Sequence, residues 1–183
     1  MARIPPIEPD KAQPQVREVY TRLRTALLIE PNNFFKTMGH APDLLAPLVE
    51  LSGAMLEAGT LERRLKEWVI LQIARLHHCD YVYAAHKQAL SRALMSDAIG
   101  ERDTPLDTSS FPASDKLAMR YATQVSTSEV DDATFKELEA TFSTEEIVEL
   151  TVLAGYYTFI CRTVNALSID NETLKFLETS EAQ

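Results

Sequence analysis

Apolar residues recur at three- and four-residue steps along almost the whole chain, the spacing that predicts amphipathic helices. Val16, Val19, Tyr20, Leu23 and Leu27 mark a helix over residues 16–28. Glu30-Pro31 ends it, because a residue before proline avoids the α region. Phe34, Phe35 and Met38 open a short helix that stops near His40 and Pro42. Leu44, Leu45, Leu48, Leu51, Met55 and Leu56 then give a broad apolar face over residues 42–58, with Gly59 as its C-cap and Thr60 as the next N-cap. Leu61, Leu65, Trp68, Leu71 and Leu76 continue the pattern until His77-His78 interrupts it. A further helix is expected from there to about Leu94, with Asp80 or its neighbour as N-cap. Residues 96–110 are polar, with Gly100 and Pro105, and read as a loop. Leu117, Met119, Tyr121 and Val125 resume the helical period, and Asp131-Asp132 caps another helix carrying Phe135, Leu138 and Phe142.

Ser143-Thr144-Glu145-Glu146 is a hydroxyl cap followed by first-turn acids. It opens a final helix, over about 144–167, that is apolar on almost every side. Such a helix is buried, here expected between its own subunit and a partner. Pro5, Pro6, Pro9 and Pro14 keep residues 1–14 extended, as an arm expected to wrap a neighbouring subunit. The tail after Asp170 is expected to be a short terminal helix or a frayed end. The elements add up to a single all-α domain over residues 1–183, with central helices at 59–96 and a buried final helix at 144–170.

Composition narrows this further. Five glycines in 183 residues argue for few tight turns and against an all-β fold. A net charge of −9 disfavours nucleic acid and anionic membrane surfaces as partners. Apolar runs are too short to suggest a membrane span. The first residues lack the apolar core of a secretory signal. Cys79 and Cys161 are the only cysteines, which is no disulfide framework and fits a cytoplasmic, reducing setting.

The candidate chemistry lies between Glu67 and His86. Glu67, Cys79 and His86 are spaced twelve and then seven residues apart. Seven residues turn a helix by about 700°, so Cys79 and His86 share a face. A thiol at a helix N-terminus feels the positive end of the macrodipole and is the more reactive for it. Glu67, on the preceding helix, is in position to orient His86 as a general base. Each residue has an ordinary alternative: a solvated acid, a small buried hydrophobe, a structural histidine. Adjacent His77 and His78 point to different sides of a helix and make no metal site. His40 is read as a helix-terminal histidine, and Cys161 as packing in the apolar final helix.

These residues also carry a resemblance. Glu67, then Cys79 through His86, resembles the motif of the carboxymuconolactone decarboxylase and alkyl hydroperoxidase D family. Val82 stands where the hydroperoxidase branch has its second cysteine, so Cys79-Asp80-Tyr81-Val82-Tyr83-Ala84-Ala85-His86 is more similar to the decarboxylase-like version. Gly59 to Glu67, Glu145 to Leu150, Gly155-Tyr156-Tyr157 and Arg162 to Leu167 extend the likeness. The resemblance implies an alkyl hydroperoxidase D-like helical bundle, assembled as a homotrimer or homohexamer. It also implies cofactor-independent acid–base chemistry, a decarboxylation or isomerisation of a small carboxylated or lactone-like metabolite. His86 would move the proton, Glu67 would orient it, and Cys79, Tyr81 and Tyr83 would line the substrate pocket, with no metal. Two alternatives stay open: an alkylhydroperoxidase-like peroxidase working through Cys79, and a non-catalytic oligomeric binding module. Because Val82 replaces the resolving cysteine, no intramolecular disulfide is expected.

Overall fold

The computed structural model describes residues 1–94 and 111–177; the expected loop at 96–110 and the last six residues lie outside them. The described residues form helices α1 (Pro14–Leu27), α2 (Asn33–Met38), α3 (Pro42–Glu57), α4 (Arg63–Leu76), α5 (Asp80–Leu94), α6 (Ala113–Thr127), α7 (Asp132–Thr141) and α8 (Thr144–Leu167). Every helix expected from the apolar spacing is present. The chain divides into two compact units, one of residues 1–58 and 164–183 and one of residues 59–163.

In the first unit α1 packs on α3. Val16, Val19, Tyr20 and Leu23 of α1 and Leu45 and Val49 of α3 are buried there. Asn32 caps α2 by accepting from the Phe35 amide at 3.1 Å. The proline-rich arm hydrogen-bonds to its own chain. The Arg3 amide donates to the Leu167 carbonyl (2.9 Å), the Ile7 amide to the Lys36 carbonyl (3.1 Å), and the buried Tyr20 hydroxyl to the Ile7 carbonyl (3.0 Å). Prolines leave the arm with few amides to satisfy, and helix-end carbonyls supply the partners it does need. Burial, aided by the charge of Glu8, pushes the Tyr20 phenol up to about 12. His40 ends up on the arm, its Nε2 2.9 Å from the Pro5 carbonyl. The tail is corrected. Residues 168–177 contain no helix; an isolated antiparallel bridge joins Phe176 to Ile29, and the Leu177 amide donates to the Leu28 carbonyl at 2.7 Å.

In the second unit α4 packs against α5 and α6, and α6 against α7. Buried Ile70, Ile73, Leu90, Leu138, Leu150 and Leu153 form much of its core. Arg64 ties α4 to α6 through Asp115 (2.5 Å). Tyr121–Thr151 and Ser126–Thr158 hydroxyl pairs, both at 2.7 Å, hold α6 to α8. The expected capping box at the start of α8 is formed: the Ser143 amide donates to Glu146 (2.7 Å) and the Glu146 amide to the Ser143 hydroxyl (3.2 Å). α8 is not covered all round. Val148, Val152 and Phe159 remain 56%, 44% and 45% exposed, one stripe along the helix. Among the described residues α8 alone is long and apolar enough to cross a membrane; half of that window is buried within the protein, as in a core helix.

Candidate functional site

The site is built where α4 turns into α5. His78 takes the left-handed conformation (φ 51°). Its amide donates to the Arg75 carbonyl (3.1 Å) and the Cys79 amide to the Ala74 carbonyl (2.8 Å), the paired closure that ends a helix in a Schellman motif. The Cys79 carbonyl then accepts the Tyr83 amide (3.1 Å), which makes Cys79 the N-cap residue of α5. The histidine pair is thus a hinge between the two helices.

This tight return lays α5 along α4 and brings Glu67 to His86. Nδ1 of His86 lies 2.7 Å from Oε2 of Glu67, and Nε of Arg63 donates to Oε1 of Glu67 at 2.7 Å. The Glu67 side chain is fully buried, His86 keeps 15% of its surface and Arg63 34%, so the solvent edge of the cluster is cationic or imidazole. Burial pushes the Glu67 carboxyl up, but His86 and Arg63 together outweigh it and hold the group below its ordinary range. Because Glu67 is a carboxylate, the Nδ1 of His86 must carry the proton in their bond. That leaves Nε2 as the working nitrogen, which no described residue hydrogen-bonds. Sequence reasoning missed Arg63, for which its i,i+4 spacing from Glu67 was the available signal.

α8 closes the other side. The Tyr157 ring meets His86 edge-on at 4.9 Å. Its hydroxyl is held well above its ordinary range by burial and by the Glu67 charge. One turn further along α8, the Cys161 thiol hydrogen-bonds to the sulfur of Cys79. Both cysteines are free and fully buried. That bond, followed by the Val82 and Tyr81 amides at the start of α5, lowers the Cys79 pKa against the opposing effect of burial. The same bond, with burial, pushes Cys161 far up. Cys161 is therefore more than the packing residue expected from its apolar surroundings.

The remaining sequence candidates separate. Tyr83 packs with Trp68 on the Leu71–Leu90 cluster. Tyr81 is buried and lies about 200° around α5 from Cys79, so it does not share the Cys79–His86 face. Val82 is buried three residues after Cys79.

Comparison with known proteins bears on this site. The model of the carboxymuconolactone decarboxylase family matches residues 42–100, the stretch that holds Glu67, Cys79 and His86. Over those residues the chain is similar to this family. No curated protein matches it. Its fold is that of alkylhydroperoxidase AhpD. An uncharacterized peroxidase-related protein with the AhpD core from Ralstonia eutropha JMP134 superposes with a TM-score of 0.80 at 18% identity, over 93% of this chain and 92% of that one. A peroxidase-related protein from Silicibacter sp. TM1040 gives 0.77 at 15% identity, over 88% of each. The debrominase Bmp8 gives 0.72 at 22% identity, over 93% and 92%. This chain thus carries a glutamate–histidine pair on an AhpD-like fold, with Val82 three residues after Cys79.

Proposed function

We propose that the protein is a thiol-dependent peroxidase acting on a small organic hydroperoxide, with Cys79 as nucleophile and the Glu67–His86 pair as proton relay. The observation that carries this reading is the state of Cys79. Its sulfur is an N-cap group whose pKa is lowered by Cys161 and by helix amides, on the same face of α5 as His86. A thiolate so placed attacks the outer peroxide oxygen, the O–O bond breaks, and Cys79 becomes a sulfenic acid. His86 takes the thiol proton at Nε2 as the thiolate forms and returns it to the departing alkoxide, while Glu67 holds the ring through Nδ1. Names of structural neighbours, peroxidase-related in two cases, are in line with this chemistry.

The test is peroxide consumption coupled to a small dithiol. Cys79→Ser should abolish it; turnover at the wild-type rate in that variant would sink the reading. One observation favours a second reading, the cofactor-free lyase or isomerase chemistry implied by the sequence motif. Nε2 of His86 is a base with a buried carboxylate behind it and needs no thiol to act. Under that reading Cys79→Ser keeps activity on a carboxylated substrate, and Glu67→Gln loses it. The homo-oligomer expected from the sequence finds support in the exposed stripe of Val148, Val152 and Phe159, a face suited to a second copy. Light scattering reporting a monomer would remove it.

A further inference from the structure

The thiol beside Cys79 does not come from the family's usual position. We propose that Cys161, on α8, is the resolving thiol for Cys79, so that the two form a reversible disulfide between the start of α5 and the middle of α8. The inference rests on the peroxidase reading above and adds the electron partner that Val82 cannot supply.

Geometry carries it in two independent places. Tyr157 and Cys161 are four residues apart and share one face of α8; Cys79 and His86 are seven apart and share one face of α5. These faces meet twice: the Tyr157 ring lies 4.9 Å from that of His86, and the Cys161 side chain hydrogen-bonds to that of Cys79. Both thiols are free, fully buried and 82 positions apart in the chain. No other cysteine is available to compete.

The protonation order fits the division of labour. Of the two thiols Cys79 is the easier to deprotonate and Cys161 the harder, so Cys79 is the nucleophile of the pair. Attack on the hydroperoxide oxidises Cys79 by two electrons and reduces the peroxide to an alcohol. Oxidation removes the hydrogen bond to Cys79 and the Cys79 charge, two of the three causes that push Cys161 up. The Cys161 sulfur attacks the sulfur of the sulfenic acid; an S–S bond forms, the S–O bond breaks, and the hydroxide leaves with the thiol proton as water. An external dithiol returns both cysteines to thiols by exchange and is itself oxidised to a disulfide.

The experiment uses the full-length protein with one equivalent of cumene hydroperoxide, quenched in acid and analysed by peptide mass spectrometry. Wild type should yield a peptide pair joined through Cys79 and Cys161 and little sulfenic acid trapped by dimedone. Cys161→Ala and Cys161→Ser should yield no joined pair, accumulate dimedone-trapped Cys79, and lose turnover with a dithiol. Val82→Cys placed in the Cys161→Ala background restores the family spacing and should regain the turnover. Dimedone-trapped Cys79 in wild type with no joined pair would overturn the resolving role while leaving the peroxidase reading intact. No oxidation of Cys79 in any variant would overturn both. The wild-type mapping needs no substitution, so a variant that fails to fold does not blunt the result.

Discussion

Two carboxylates, one within α4 and one reaching the turn before it, are held for different purposes. Glu67, in the middle of α4, faces two side chains, an imidazole and a guanidinium, and one of them can change its charge. Glu149, on α8, reaches the approach to α4. There it accepts from the Thr60 amide (2.7 Å), the Leu61 amide (3.2 Å) and the Thr60 hydroxyl (3.1 Å), with buried Lys66 at 3.9 Å. Both carboxyls sit below their ordinary range. Burial opposes the shift in each; His86 and Arg63 overcome it at Glu67, the Thr60 and Leu61 amides and Lys66 at Glu149. Depression of a carboxylate is therefore no mark of catalysis by itself. Backbone amides cannot titrate, so Glu149 is a clamp; an imidazole can, so Glu67 is the carboxylate suited to a proton relay.

The largest expected effect tests that division directly. Glu67→Gln, His86→Ala and their double variant should each lose roughly 10²–10⁴-fold in kcat/KM for hydroperoxide, and by similar amounts, because the pair acts as a unit. Glu149→Gln should keep turnover near the wild-type level and instead lose about 1–3 kcal/mol in urea unfolding, the usual cost of weakened hydrogen bonds to a charged group. If Glu149→Gln loses as much turnover as Glu67→Gln, the distinction between clamp and relay fails.

The relay was legible in the sequence and the clamp was not. Glu67 and His86 lie on consecutive helices, and a short return brings antiparallel neighbours together whatever the rest of the chain does. The capping residues before α8 are local too, so its bounds could be read from Ser143 to Glu146. Glu149 is 89 positions from Thr60, and only tertiary packing decides that it reaches there. Cys161 escaped for the same reason, since nothing local says which face of an apolar helix will meet α5. The tail was misjudged because its polar residues exclude little and leave its partner unspecified.

The next effect is smaller and concerns the clamp alone. Gly59 has φ +86°, and a Cβ there would overlap the Glu149 carboxylate. Gly59→Ala should therefore carry two costs, the left-handed backbone and the displaced clamp, together about 2–3 kcal/mol. In a Glu149→Ala background only the backbone cost remains, about 1 kcal/mol. A double-mutant cycle by chemical denaturation should show this coupling. Additive costs would mean that the carboxylate swings aside without loss, and that Glu149 does not clamp the turn.

The finest separation comes from acid. Both folded-state pKa values lie below the ordinary 4.5, so each carboxylate adds stability that is fully present above about pH 4.5 and is lost as the pH falls through its folded value. Wild type should lose stability below pH 4.5 more steeply than either Glu→Gln variant, because the unfolded chain binds protons there that the native carboxylates refuse. The two shares respond differently to one further change. His86→Ala removes the leading source of the Glu67 depression and leaves burial, which pushes the other way. The Glu67 share should then be lost at a higher pH, while the Glu149 share, set by amides and Lys66, stays where it was. Urea unfolding of wild type, His86→Ala and His86→Ala/Glu149→Gln between pH 3 and 7 reads this as a shift of one component of the slope. An unchanged profile in His86→Ala would mean that Arg63 alone holds Glu67 ionised, and the imidazole would lose its claim to be the carboxylate's working partner.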